Sequence, residues 1–194
     1  MSRNRTSRAR AGIESRARRV RHLATRYAGS LRARTLDDAT AAWVIATLVP
    51  GEQSVWAGMG RADRAEGVAV ARAFEVTGAG TGPRTEEWRA AALLHDAGKQ
   101  VSGYGTFGRV VATVVIAGAG RARARGWADR RQGWRARVGA YAAHDDLGAE
   151  LLRESAARPA VVGWAAAHHR PELWAGSGVP ESVCRALADA DGEP

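Results

Sequence analysis

Apolar residues recur every three or four positions through most of this chain, which is the period of amphipathic helices. One predicted helix begins at Asp37 or Asp38, which suit an N-cap, and ends before Pro50. Further helices are predicted at 15–34, 61–76, 85–95, 137–143, 147–156, 159–168 and 181–190. Because the breaks between them are short, the pattern predicts an all-α domain.

The pattern does not decide the secondary structure of two segments. The valine-rich stretch 106–117 suits a strand by composition, but no second strand exists to pair with it. Residues 119–138 hold seven arginines and one aspartate, interrupted by Gly126 and Gly133. We interpret this segment as a mobile basic loop or a frayed helix. Trp127 and Trp134 lie within it, where each has a base or an arginine as a candidate stacking partner.

The N-terminal region differs from the rest of the chain. Residues 1–14 show no apolar periodicity and are expected to form a disordered basic tail. Residues 15–194 are expected to form one helical domain with its core over 36–194, in keeping with a length of 194 residues. Trp43, Trp88 and Trp164 lie in apolar helical phase and are predicted core residues.

The composition excludes several classes of protein. The single cysteine, Cys184, rules out an intrachain disulfide and a cysteine zinc cluster. No apolar run approaches the roughly 18–20 residues that span a bilayer, and no apolar secretory signal is present. We therefore expect a cytoplasmic protein without a membrane partner.

The net charge of +9 suggests a nucleic-acid partner until its distribution is considered. Residues 1–35 contain eleven arginines and one acid, Glu14, for a charge of +10, and the remaining 159 residues carry −1. No DNA- or RNA-reading motif accompanies the arginines. We expect no specific recognition of nucleic acid, and at most weak non-specific contact through the arginine leader.

The candidate metal-ligating residues lie where predicted apolar helices end. His95, His144 and the pair His168–His169 each follow an apolar stretch, and Asp96 follows His95 directly. Imidazole and carboxylate together suit Fe, Mn, Zn or Ni. Neighbouring side chains on a helix diverge by about 100°, so such pairs would need ligands from other elements. From spacing alone, ordinary core or capping histidines remain the alternative.

Four motifs in order resemble the HD-domain metal-dependent phosphohydrolases, including a small bacterial group of stand-alone HD proteins. They are AALLHDAGK at 91–99, HDDLGAELL at 144–152, the His pair at 168–169 and the Ala-Asp at 190–191. The likeness covers about residues 30–194. It implies an HD-domain-like helical bundle that binds one or two divalent transition metals.

The resemblance also implies roles for individual residues. His95 would ligate one metal, Asp96 would ligate or bridge the metals, and Asp191 would complete the first shell, with Asp189 as its alternative. The second metal would be held by His144, His168 and His169. Lys99 and Arg170 would bind the substrate phosphate, and Asp96 and Lys99 would be the catalytic residues.

One position departs from the family pattern. Glu66, in DRAEG, stands where the family has its opening histidine. Glutamate ligates the same metals, so we include Glu66 in the candidate shell. The alternative is a catalytically impaired, nucleotide-binding regulatory protein that keeps the fold.

The resemblance implies hydrolysis of a phosphomonoester, a phosphodiester or a nucleotide by metal-activated water. The partner is then a small phosphorylated substrate. A cyclic dinucleotide is disfavoured, because no Gly-Tyr-Pro motif follows His169.

Overall fold

A computed structural model describes residues 35–129 and 132–192. Every regular element in these ranges is helical, which confirms the all-α class. The α-helices are α1 (Asp38–Thr47), α2 (Pro50–Gly58), α3 (Arg61–Thr77), α4 (Thr85–Leu94), α5 (Thr106–Ala119), α6 (Arg121–Arg125), α7 (Trp134–Ala142), α8 (His144–Glu154), α9 (Pro159–Ala167) and α10 (Glu181–Asp191). Two 3₁₀ segments cover Ala97–Ser102 and Pro171–Gly176. The predicted tail over 1–14 and the predicted helix over 15–34 lie outside the described residues.

The first helices show how local signals set the boundaries. Asp37 caps α1 as predicted, and its carboxylate accepts a hydrogen bond from the Thr40 amide at 2.7 Å. Helix α2 was not predicted, because its Pro-Gly start and polar composition conceal it. Its signals are Pro50 in the first turn and Glu52, which accepts a hydrogen bond from the Val49 amide at 3.1 Å.

Helix α4 forms the centre of the main core. Its last five residues, 90–94, have no exposed surface, and α3 and α9 pack against it. Trp88 and Trp164 are buried as predicted, whereas Trp43 is half-buried at the edge. Gly67 allows the close crossing of α3 over α4, since a Cβ atom there would lie 2.4 Å from the Leu93 carbonyl oxygen. The buried end of α4 leads directly into His95.

A second, smaller core lies between α5, α6 and α7. It is built from Ala112, Ala124, Val138 and Ala142, with Trp127 and Tyr141 packed against it. The valine-rich segment is therefore helical, as the lack of a partner strand indicated. Within 119–138, the first and last parts form α6 and the start of α7. For these parts the mobile-loop interpretation is wrong, and the helical alternative agrees with the structure. Arg125 of α6 pairs with Asp145 and Asp146, and these ion pairs hold α6 against α8.

No helix in the described part of the chain is long and apolar enough to cross a membrane.

Candidate metal centre

Asp96 lies at the centre of a buried cluster of histidines. It lies between His95, which follows α4 directly, and the 3₁₀ segment, and only 2% of its surface is exposed. His144 begins α8, and His168 follows the end of α9. Three separate helix ends thus bring these side chains together.

The carboxylate of Asp96 has one oxygen near each of two groups of histidines. Its Oδ1 lies 3.3 Å from Nε2 of His144 and 3.8 Å from Nε2 of His168. Its Oδ2 lies 3.3 Å from Nε2 of His95. His169 completes the first group, with Nε2 3.2 Å from Nε2 of His144. One ligand atom from each of Asp96, His144, His168 and His169 lies within 4.8 Å of the others.

The orientation of three of these rings is fixed by the backbone. Each Nδ1 contacts the carbonyl oxygen of the residue three positions earlier, which lies in the last turn of the preceding helix. The pairs are His95 with Ala92 at 2.8 Å, His144 with Tyr141 at 2.9 Å and His168 with Ala165 at 2.8 Å. A carbonyl oxygen can only accept a hydrogen bond, so the ring nitrogen that contacts it must be the donor. A neutral ring therefore carries its proton on Nδ1 and directs the Nε2 lone pair toward Asp96. This is the arrangement of a metal-ligating histidine with an outer-shell partner.

Several polar atoms at the centre have no hydrogen-bond partner. Nε2 of His95, Oδ1 of Asp96 and Nε2 of His168 are buried and unsatisfied. They approach one another, but not with the alignment of a hydrogen bond. Buried polar atoms are almost always paired in proteins, and a site for an ion is one explanation for such exceptions. These atoms are the donors that a divalent metal requires, so the residues fit the group that the resemblance implies.

The residues predicted for a first metal lie on the other side of Asp96. Asp191, at the end of α10, places Oδ1 3.6 Å from Nε2 of His95. Glu66 on α3 places Oε2 3.8 Å from Nζ of Lys99. Lys99 in turn forms an ion pair with Oδ2 of Asp96. The structure therefore brings Asp191 and Glu66 to the centre, whereas the alternative ligand Asp189 is exposed.

Burial and neighbouring charges shift the pKa values of three of these histidines, one upward and two downward. Burial alone would lower the pKa of His95, but Asp96, Asp191 and Glu66 together raise it to about 10. For His168, burial and the neighbouring His169 hold the pKa well below its usual range. Burial likewise lowers the pKa of His144 despite the carboxylate of Asp96. Without a metal, His95 is thus protonated, whereas His144 and His168 are neutral.

Asp96 and Lys99 reinforce each other's charged forms. Burial opposes ionisation of Asp96, yet Lys99 and His95 hold its pKa well below the usual value. Burial also opposes the charge on Lys99, but Asp96 and Glu66 raise its pKa above its usual range. The centre therefore holds an ionised carboxylate beside a permanent cation.

Arg170, predicted to bind substrate, lies in a different network. Its guanidinium pairs with Asp146, and its Nε lies 3.3 Å from Oδ2 of Asp145. Asp145 is fully buried and also accepts two hydrogen bonds from Arg125 at 2.8 and 2.9 Å. This network joins α6, α8 and the end of α9 beside His144 and His169. The role of Arg170 with substrate stays a prediction.

Two groups near Lys99, one on α3 and one on α7, were not predicted from the sequence. Asp63 on α3 is buried and forms an ion pair with Arg109 on α5. Tyr141 on α7 is half-buried, with its ring centroid 6.0 Å from that of His144. The sequence offers one signal for Asp63, an acid on the otherwise apolar face of its helix. It offers none for Arg109, because arginine is frequent throughout the chain.

A bundle of helices whose ends converge on a His–Asp cluster defines a candidate metal centre. In agreement with this class, a family model described as HD domain matches residues 67–192. The chain therefore belongs to the HD-domain family, and the match begins one residue after Glu66. No curated protein and no solved structure matches the chain.

Proposed function

We propose that this HD-domain protein is a metal-dependent phosphohydrolase that cleaves a phosphomonoester, a phosphodiester or a nucleotide. The observation that supports this most directly is the set of buried, unsatisfied atoms on His95, Asp96 and His168. Buried polar atoms are seldom left unpaired, and these three lie together at an ionised carboxylate. The proposal assigns His95, Asp96, His144, His168, His169, Asp191 and Glu66 to the metal shell.

Mixed nitrogen and oxygen donors favour Fe, Mn, Zn or Ni, as one ion or two. Bound divalent metals lower the pKa of water toward neutrality and neutralise charge on a phosphoryl group. The protein itself fixes the orientation and the protonation state of its ligand side chains. The three Nδ1–carbonyl contacts keep the Nε2 atoms directed inward, and burial lowers the pKa of His144 and His168, which keeps them unprotonated.

Lys99 supplies a fixed positive charge at the edge of the centre. Its side chain is 16% exposed and its Nζ pairs with Asp96 and approaches Glu66. An ammonium group held this way stabilises the negative charge that develops on phosphoryl oxygens. The accessible edge also lets Lys99 meet a substrate phosphate from outside the metal shell. The proposed partner is accordingly a small phosphorylated molecule. The proposed location of the protein is the cytoplasm.

The test compares His95→Ala and Asp96→Ala with the wild-type protein on phosphatase, phosphodiesterase and nucleotidase substrates. Both variants should lose metal binding and hydrolysis, because each removes a donor on which the other ligands converge. The matched control is Asp189→Ala, which removes an exposed carboxylate two residues from Asp191. Hydrolysis that survives both His95→Ala and Asp96→Ala would contradict the proposal.

A second candidate is a nucleotide-binding regulatory protein with an impaired centre. Glu66 favours it, because a carboxylate replaces the family's histidine and lies 3.8 Å from Lys99. Restoring Glu66→His separates the two. A large gain in hydrolysis would support the impaired centre, and no gain with measurable turnover in the wild type would support a native shell that includes Glu66. Nucleotide binding without turnover in either protein would support the regulatory function.

A further inference from the structure

An exposed tryptophan lies on α7, away from the two hydrophobic cores. Trp134 is 57% exposed, although tryptophan is mostly buried in folded proteins. Its ring stands nearly perpendicular to that of Trp127, with centroids 6.0 Å apart and an interplanar angle of 74°. Trp127 is half-buried and packs against the second core. Trp127 thus packs against one side of Trp134, while the aromatic surface of Trp134 is exposed to solvent.

Arg135 adds a charge to these rings. Its guanidinium carbon lies 5.1 Å from the centroid of Trp134 and 5.7 Å from that of Trp127. No carboxylate pairs with Arg135 in the ranges that the structure describes. Two other arginine–tryptophan contacts differ in this respect. Arg72 over Trp43 pairs with Glu75, and Arg84 over Trp88 pairs with Glu87.

Helix α6, which packs against α7, adds two exposed arginines. Arg121 and Arg123 on the adjoining α6 are exposed and have no carboxylate partner among the described residues. Arg125, in contrast, is neutralised by Asp145 and Asp146. The one acid described between residues 120 and 138 is Asp129. We call Trp127, Trp134, Arg135, Arg121 and Arg123 the Trp134 patch.

We propose that the Trp134 patch binds single-stranded nucleic acid, with a base stacked on Trp134 and phosphates beside the arginines. Stacking on an aromatic ring within a basic surface is how proteins hold single strands without reading their sequence. A duplex fits less well, because its bases are already stacked on one another. The proposal is independent of the phosphohydrolase function.

A free nucleotide is a poorer match for the same chemistry. Sites for small molecules enclose about 70–90% of the ligand, whereas Trp134 offers an open surface. A strand compensates for a shallow site, because successive phosphates meet several arginines at once. The occupant is therefore a strand that spans the patch.

The test must separate the patch from the arginine leader at 1–35, which attracts any polyanion. Fluorescence anisotropy would compare a strand of about fifteen thymidylates, the upper range of a single-strand site, with an abasic deoxyribose-phosphate strand of equal charge. The leader contributes equally to both strands. Since stacking is worth about 1–3 kcal/mol per base, the base-bearing strand should bind at least about fivefold more tightly.

The variants assign this preference to Trp134. Trp134→Ala should abolish it, and Trp134→Phe, which keeps an aromatic ring, should retain most of it. Arg135→Gln should weaken binding of both strands, and the matched control Arg72→Gln, with the same change of charge, should weaken binding less. Because Trp134 is exposed, its variants should unfold at the wild-type temperature.

Four results would overturn the proposal. They are equal affinity for the base-bearing and abasic strands, a base preference that survives Trp134→Ala, equally tight binding of a duplex of the same length, and competition by adenosine 5′-monophosphate at the strand's own concentration.

Discussion

Gly98 lies directly against the backbone of His144. A Cβ atom at Gly98 would be 1.8 Å from the His144 carbonyl oxygen and 2.6 Å from the Gly148 amide nitrogen. This contact joins the 3₁₀ segment that follows Asp96 to the helix that carries His144. The absence of a side chain at one residue therefore sets the spacing between two candidate ligands.

The first prediction concerns this contact. Gly98→Ala should lower the free energy of unfolding by about 2 kcal/mol or more. Both atoms that the new Cβ would meet belong to the backbone of α8, so relieving the clash requires the backbone itself to shift. The variant should also bind metal more weakly, since α8 must move away from Asp96. Chemical denaturation and metal titration measure the two effects.

Gly118→Ala is the matched control for Gly98→Ala. Gly118 lies within α5, and a Cβ atom there would meet nothing within 4 Å. Because glycine costs about 0.5–1 kcal/mol relative to alanine within a helix, this variant should be slightly more stable than the wild type. If both variants had the same stability, the close contact at Gly98 would be refuted.

A buried ion pair between Glu52 and Arg158 gives the second prediction. Glu52 is fully buried and accepts hydrogen bonds from the Arg158 amide, Nε and Nη2 at 3.0, 2.9 and 2.6 Å. Removing one partner of a buried pair typically costs about 3–5 kcal/mol. Because the Arg158 side chain is 22% exposed, we expect a loss of about 3 kcal/mol for Glu52→Ala.

The control for Glu52→Ala is Glu181→Ala, which breaks the exposed pair with Arg185. Equilibrium urea denaturation should show no measurable change for this variant. A Glu52→Ala protein as stable as Glu181→Ala would show that the Glu52–Arg158 pair does not hold α2 against the start of α9.

The third prediction follows from the charge state of His95. Its pKa of about 10 in the metal-free protein lies above the ordinary 6.5, so the ring is protonated at pH 8. A metal ligand must be neutral, and binding therefore releases this proton. Metal affinity should rise with pH until about 10, where the proton is already lost.

Calorimetric titration with Mn²⁺ at pH 8, in buffers of different ionisation enthalpy, counts the released protons. The wild type should release about one proton per metal at this centre. As the pH approaches 10 the release should fall, because His95 is then already neutral before the metal binds, while Asp96 stays ionised and His144 and His168 stay neutral. Proton release that stays the same between pH 8 and pH 10 would contradict the assignment of His95.

The same raised pKa has a consequence for metal-free stability. The folded pKa of His95 exceeds its unfolded value, so protonation of His95 stabilises the fold fully below pH 6.5, and this contribution is lost as the pH rises toward 10. The metal-free wild type should accordingly lose stability over this range relative to His95→Gln.

The helices that bear the candidate ligands were predictable, because their signals are local. The apolar run before His95, the Asp37 cap and the period of α9 each lie within one element. The HD, His-His and Ala-Asp motifs then place the candidate ligands by resemblance. Helix α2 was not predicted because Pro50 and the polar residues after it obscure its apolar period. Its buried contact, between Glu52 and Arg158, is a long-range pair that the local pattern does not show.

The contacts between elements could not be predicted from spacing. The pairing of Arg170 with Asp146 joins residues 24 apart, and that of Arg109 with Asp63 joins residues 46 apart. Many arginines in the chain offered equivalent partners. The approach of Gly98 to His144 likewise depends on the packing of two elements rather than on either sequence alone.

The metal content of the purified protein tests the central claim most directly. The chain, produced without a histidine tag and reloaded with Fe, Mn, Zn or Ni, should retain at least about one equivalent of metal after dialysis, and Asp96→Ala should retain almost none. A wild-type protein holding less than about a tenth of an equivalent of every one of these metals would contradict a metal centre at Asp96.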